Sequence, residues 1–186
     1  MPFLEIKLGD IFFDPKVQTF CVNPHFKCPI YGHSWTCPPE APYLKETISK
    51  YKRFYLIYVK NNLKEYIRKR TVEDPKRSEK SIKNEFFMKN LLSDKLEREI
   101  FGFIKRYQSL YEEKFILWDG FCRICSNKED KGCTYDSGDS CRYPDKKRYS
   151  MEAVGIDVTK TVTNLNFNLE WPPTNNIYRF GLVCLK

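Results

Sequence analysis

Eight cysteines constrain this 186-residue chain more than any other feature, because seven of them fall into two short clusters. Cys21, Cys28 and Cys37 form the first, Cys122, Cys125, Cys133 and Cys141 the second, and Cys184 stands apart. Disulfides are one use of such a set. Yet the chain is long for a disulfide-stapled scaffold, and its opening Met1-Pro2-Phe3-Leu4-Glu5 lacks the basic stretch and apolar run of a secretory signal. Clustered cysteines in that setting point to metal binding or catalysis in the cytoplasm.

The second cluster reads Cys122-x2-Cys125-x7-Cys133-x7-Cys141, and four thiolates so close in sequence can enclose one soft metal centre. A zinc ribbon presents two tight Cys-x2-Cys knuckles. Only the first pair here is tight, and the wider gaps suit a larger object, which favours a 4Fe-4S cluster with zinc as the alternative. Pro144, soon after Cys141, loosely resembles the Cys-Pro ending of bacterial ferredoxin motifs.

The first cluster is one ligand short of a tetrahedral or cubane site. Water, substrate, His25, His33 or a distant cysteine could complete it, and an open position is what separates a catalytic metal site from a structural one. The plainer reading is three buried thiols in an irregular loop. His25 and His33 are the two histidines of the chain, and a structural hydrogen-bonding role is the more common one for each. Cys184, inside Phe180-Gly181-Leu182-Val183-Cys184-Leu185, reads as a small core residue.

The remaining pattern is that of a single α/β domain over residues 1–186, a small sheet with a βαβ crossover and two cysteine-rich metal-binding loops at 21–42 and 120–149. One or two short strands are expected to end near Phe20, a helix over Tyr43 to Tyr51, and a buried strand over Phe54 to Val59, the longest apolar run at six residues. A bilayer-spanning helix needs about 20, so no membrane segment is expected. Asn62 with Glu65 has capping-box spacing for a short helix to about Lys69, followed by a polar loop over 70–80. Residues 81–113 carry helical periodicity with a break near Ser93-Asp94, and Lys114 to Trp118 is the next strand. Asp157 caps a later helix. Tyr178 to Leu185 is the last strand. If the strands before Cys21 and Cys122 run parallel, both loops leave one edge of the sheet and the two centres are neighbours.

Two longer motifs carry a family resemblance. Cys28-Pro29-Ile30-Tyr31-Gly32-His33-Ser34-Trp35-Thr36-Cys37-Pro38-Pro39 is similar to the signature C-x-x-Y-G-x-x-W-x-C-P-P. Cys141-Arg142-Tyr143-Pro144, followed by Tyr149-Ser150-Met151-Glu152-Ala153-Val154-Gly155-Ile156-Asp157-Val158, is similar to C-R-x-P … S-M-E-A-x-G-I-D-V. Both occur in this order in the prokaryotic DUF2284 family of predicted metal-binding proteins, which the chain resembles over nearly its whole length. The resemblance implies metal binding through these cysteines, as iron–sulfur, and supplies no substrate.

Within the motifs, Ser150 is placed to cap a short helix that Gly155 ends. Glu152 is a candidate proton donor beside a metal, though a solvated helix carboxylate is the commoner role. Arg142, Lys146, Lys147 and Arg148 could neutralise an anionic cluster, hold an anionic substrate, or face water.

The formal charge of +8 treats cysteines as neutral. Seven thiolates around two clusters lower it to about +5, which weakens the case for nucleic acid without removing it. The basic runs from Lys64 and from Lys76 have acids interleaved and read as a solvated face. A redox or sulfur-handling iron–sulfur enzyme, a non-catalytic electron carrier with a redox partner protein, and a zinc-stabilised binding module are the three functional readings.

Overall fold

A computed structural model describes residues 2–24, 26–88, 91–129 and 131–186. It is a mixed α/β fold of six α-helices about a four-stranded antiparallel sheet. In chain order the strands and helices are β1 (Phe3–Ile6), β2 (Val22–Asn23), β3 (Phe26–Lys27), α1 (Lys45–Ile48), β4 (Arg53–Asn62), α2 (Leu63–Glu73), α3 (Glu79–Met88), α4 (Leu91–Arg106), β5 (Lys114–Leu117), α5 (Ile124–Glu129), α6 (Val158–Asn164) and β6 (Asn176–Leu185). The sheet order is β1-β4-β6-β5, and β2 with β3 forms a separate small hairpin.

The strand, helices, strand crossover expected from the sequence exists, with a difference. β4 and β5 each run antiparallel to β6, so they are parallel to one another with β6 between them. The helices α2, α3 and α4 bridge that gap.

Both faces of the sheet are covered, which is why β4 reads as a continuous apolar run. Tyr55, Ile57 and Val59 join Val183 and Leu185 under Ile82, Phe86, Leu92, Leu96, Ile100 and Phe103 of α3 and α4. The alternate residues Phe54, Leu56, Leu182 and Cys184 face Ile48, Met151, Val154, Ile156 and Val162. Gly181 lets α4 come close: a Cβ there would lie 2.8 Å from Ile100 Cδ1 and 2.9 Å from the Leu117 carbonyl oxygen.

Several caps follow the sequence. Asn62 Oδ1 accepts from the Glu65 N–H at 2.9 Å, Asp157 Oδ1 from that of Lys160 at 2.9 Å, and Ser150 Oγ from that of Ala153 at 3.1 Å. Gly155 ends the Ser150 turn at φ +88°, with the Tyr43 ring against the place a Cβ would take.

Other expectations are corrected. Among the described residues, only Phe3–Ile6 is a strand before Cys21; Pro15–Cys21 is a 3₁₀ helix, because Pro15 occupies its first position and Asp14 Oδ1 accepts the Lys16 N–H at 2.9 Å. The helix over Tyr43 to Tyr51 shrinks to Lys45–Ile48, and α2 runs past Lys69 to Glu73. The helix does not break at Ser93-Asp94, since Asp94 is drawn off to pair with Arg123 at 2.8 Å. The interval between α3 and α4 falls on residues 89–90, outside the described residues. Among the described residues, no helix is long and apolar enough to cross a membrane.

Candidate metal centres

The second cysteine segment leaves and re-enters the fold at one point. The Trp118 N–H donates to the Tyr149 carbonyl at 2.8 Å, and the Met151 N–H to the Trp118 carbonyl at 3.3 Å. Everything between is an excursion clamped at its root. Cys122 lies two residues before α5 and Cys125 in its first turn, beside the buried Ile124. The seven-residue gap to Cys141 is closed by a turn: Thr134 Oγ1 donates to the Ser140 carbonyl at 3.0 Å, and Gly138 turns the chain at φ +75°. Thr134 and Ser140 are the inner neighbours of Cys133 and Cys141, so this one bond draws the two cysteines together.

All four of these cysteines line a single small cavity, with Ser34, Trp35 and Thr36 from the first segment forming its other wall. Among the described residues, its lining contains no histidine or carboxylate. Among the described residues, no three Cys, His, Asp or Glu side chains converge tightly enough to hold a single metal ion.

The first segment folds its cysteines together by backbone bonds. The Cys28 N–H donates to the Cys21 carbonyl at 2.8 Å, closing the β2–β3 hairpin so that the two residues lie side by side. The Gly32 N–H then donates to the Pro38 carbonyl at 3.0 Å and the Cys37 N–H to that of Ser34 at 3.2 Å, returning Cys37. Burial is the main cause that pushes the Cys37 thiol up to about 11, opposed by hydrogen bonds from Ser34 and Thr36 and reinforced by Cys28 and Cys21. Cys21 is raised by burial first and by Cys28 and Glu152 after it. Cys37 and Cys21 therefore both sense Cys28.

The two cysteine segments are neighbours, although not for the reason expected from parallel strands. His33 Nδ1 lies 2.8 Å from Asp136 Oδ1, Trp35 Nε1 donates to Thr134 Oγ1 at 3.2 Å, and the Trp35 and Tyr135 rings meet edge to face at 5.0 Å. His33 is thus a hydrogen-bonding residue between segments. His25 lies outside the described residues. Ser34 and Thr36 bond the Cys37 thiol and also wall the four-cysteine cavity, so the centres would share that partition.

Cys184 is fully buried, paired across β6 with Phe54 and Phe115, two rungs from the Leu117–Leu182 pair where the second segment departs. Burial raises its thiol pKa strongly. It is a core residue, as its sequence neighbours indicated.

Arg142, Lys147 and Arg148, three of the basic residues after Cys141, have structural partners, while Lys146 is exposed. Arg142 Nη1 donates to the Gly132 carbonyl at 2.8 Å, and Lys147 sits over the Trp35 ring. Arg148 pairs with Glu97 at 2.7 Å while lying 4.3 Å from the Trp118 ring centroid. The basic runs carry Lys69–Glu65, Lys83–Glu79 and Arg70–Glu73 pairs, in keeping with a solvated face.

Glu152 is exposed, as a solvated carboxylate would be, and its exposed surface faces a larger cavity whose walls raise its carboxyl pKa by desolvation, against hydrogen bonds from its own backbone and Ser150. The sequence reading also passed over Trp35 as a partition, and over Asp119 and Arg179, which line that same cavity. No local pattern marks them, because their partners are far away in sequence.

A family model described as predicted metal-binding protein, DUF2284, matches residues 4–185. No curated protein and no solved structure matches the chain.

Proposed function

The chain belongs to the DUF2284 family of predicted metal-binding proteins, and from that premise we propose that it is an iron–sulfur protein with two adjacent centres. Cys122, Cys125, Cys133 and Cys141 hold a closed one. Cys21, Cys28 and Cys37 hold a second with one coordination position left for substrate, in a redox or sulfur-handling role. The observation that carries this reading is the single cavity onto which all four thiols open, with no histidine or carboxylate among its described lining residues. Thiolate-only sites select soft centres, iron–sulfur or zinc. The wide gaps of Cys125-x7-Cys133-x7-Cys141 are what favours the larger, polynuclear occupant.

When bound, a closed cluster supplies one-electron transfer and an open iron supplies a Lewis-acid position. The chain's own contribution is positioning. The Thr134–Ser140 turn presents Cys133 with Cys141, the hairpin presents Cys21 with Cys28, and Ser34 and Thr36 donate toward Cys37. Loading requires the raised Cys37 and Cys21 thiols to lose protons, so it releases acid. A redox protein is the partner such a pair of centres calls for.

Zinc is the second reading. The four-cysteine cavity holds about 20 Å³, room for roughly one water-sized occupant. Under that reading the segment is a zinc-stabilised binding module. Iron, acid-labile sulfide and zinc analysis of anaerobically purified protein decides between them. Iron and sulfide in similar amounts, with brown colour, are expected. Colourless protein with stoichiometric zinc and no sulfide replaces the iron–sulfur assignment.

A further inference from the structure

A cavity of about 400 Å³ lies beside both cysteine segments and is distinct from the small four-thiol cavity. Phe20, which precedes Cys21, lines one side, and Asp119-Gly120, which lead to Cys122, line another. Its volume is that of a small-molecule site.

Three observations describe what it would take. The first is cationic. Arg179 lines the cavity, and its Nε is buried with no hydrogen-bond partner. Among the described residues its one ion pair is with Asp119 Oδ2, at 3.7 Å. A guanidinium carries five donors in a planar fork that matches a carboxylate.

The second concerns the acids beside it, most of which already hold partners on this chain. Asp157 caps α6 and lies 3.4 Å from Lys160 Nζ. Glu170 accepts from Thr174 and Asn175, through both backbone and side chains. Asp119 accepts the Ser93 hydroxyl at 2.5 Å. Glu152 is exposed at the cavity, where desolvation by the walls raises its carboxyl pKa.

The third is apolar and directional. Phe20, Phe87 and Trp171 line the cavity while remaining 61%, 44% and 75% exposed. Exposed aromatics gathered at one mouth mark a binding surface more than a packing need. The floor is β6, whose pairing with β5 covers only Leu182–Leu185. Among the described residues, positions 176–181 therefore have a strand partner on one side alone, which leaves backbone N–H and C=O groups along the cavity wall without ladder partners.

We infer that this cavity binds a small organic carboxylate with an aromatic or apolar body, its carboxylate on Arg179, its body against Phe20 and Trp171, and an amide or hydroxyl on the open edge of β6. The inference does not depend on which metal the cysteines hold.

The test is calorimetric titration of the full chain, as purified, with hippurate, hippurate methyl ester and benzylamine. Hippurate has the carboxylate, amide and ring; the ester lacks the charge; benzylamine reverses it. Hippurate is expected to bind about tenfold or more tightly than the ester, the scale of a lost charge-assisted pair. Arg179→Gln should remove that advantage with metal content and Tm unchanged. Phe20→Ala, at an exposed position, should weaken hippurate and ester alike. If Arg179→Gln does not fold, the acid-against-ester comparison on the native chain decides. Equal binding of acid and ester, tighter binding of benzylamine, or no binding of hippurate at about 10 mM, a range where even weak ligands register, overturns the inference.

Discussion

Trp35 Nε1 donates to Thr134 Oγ1 at 3.2 Å, tying the first cysteine segment to the residue after Cys133. The same indole meets Tyr135 edge to face, and the Tyr135 hydroxyl reaches Glu40 at 3.2 Å. One side chain thus fixes the wall that the two candidate centres share.

Removing that wall should loosen the four-cysteine site before it unfolds the protein. Trp35→Phe loses the hydrogen bond and keeps a ring, at a cost of about 1 kcal/mol. Trp35→Ala also loses the ring contact and should cost about 3 kcal/mol. Metal release to a chelator should be modestly faster in Trp35→Phe and much faster in Trp35→Ala. Chelation rates equal to wild type in both variants would show that Trp35 does not guard the site.

The raised thiols give the metal-free protein a defined alkaline weakness. Cys37 is shifted from an ordinary value of 9.0 up to about 11, chiefly by burial. The folded state favours the neutral thiol, so its contribution is complete below pH 9 and is lost as pH rises toward 11. With solvent screening this amounts to about 1–2 kcal/mol. The Tm of demetallated protein should fall over that interval, and Cys37→Ala should flatten the fall. A Tm that is level from pH 9 to 11 would contradict the assigned cause.

Much of the local structure was legible because it depends on neighbours within four residues. The caps at Asn62, Ser150 and Asp157, and the turn at Gly155, are of this kind. So is β4, whose unbroken apolar run requires cover on both faces. The insertion of β6 between β4 and β5 was not legible, since it is a choice among distant strands. The 3₁₀ helix before Cys21 was misread as strand because Ile11, Phe12 and Phe13 dominate the pattern, while Asp14 and Pro15 set the geometry. At the candidate site, spacing alone grouped the cysteines. It could not reveal Trp35 against Thr134 or Arg179 against Asp119, pairs joined only by the fold.

Gly181 tests the packing that holds the crossover on the sheet. A methyl group there meets Ile100 and the Leu117 carbonyl, and the carbonyl belongs to the strand that launches the second cysteine segment. Gly181→Ala should cost about 1–3 kcal/mol through overpacking. Chemical denaturation should show the lower midpoint with an unchanged slope. A variant as stable as wild type would mean that α4 shifts freely, and that its close approach is incidental.

Seven of the cysteines organise loops, whereas Cys184 fills the core. The stretch from Phe121 to Arg148 holds few buried apolar side chains, Ile124 among them, so its order must come largely from whatever the thiols bind. Ala replacement of Cys122, Cys125, Cys133 or Cys141 should remove one centre's metal and lower Tm substantially. Replacing Cys21, Cys28 or Cys37 should remove about half of the total iron, as expected for one of two similar clusters, and leave a folded chain, because Gln18, Ala41 and Val17 still anchor that segment. Cys184→Ala should cost only about 1 kcal/mol as a small cavity and leave metal content and spectrum intact. If Cys184→Ala instead lost a cluster signal, the three-cysteine centre would have a fourth thiolate and no open position. The electron-carrier role would then displace the substrate-binding one.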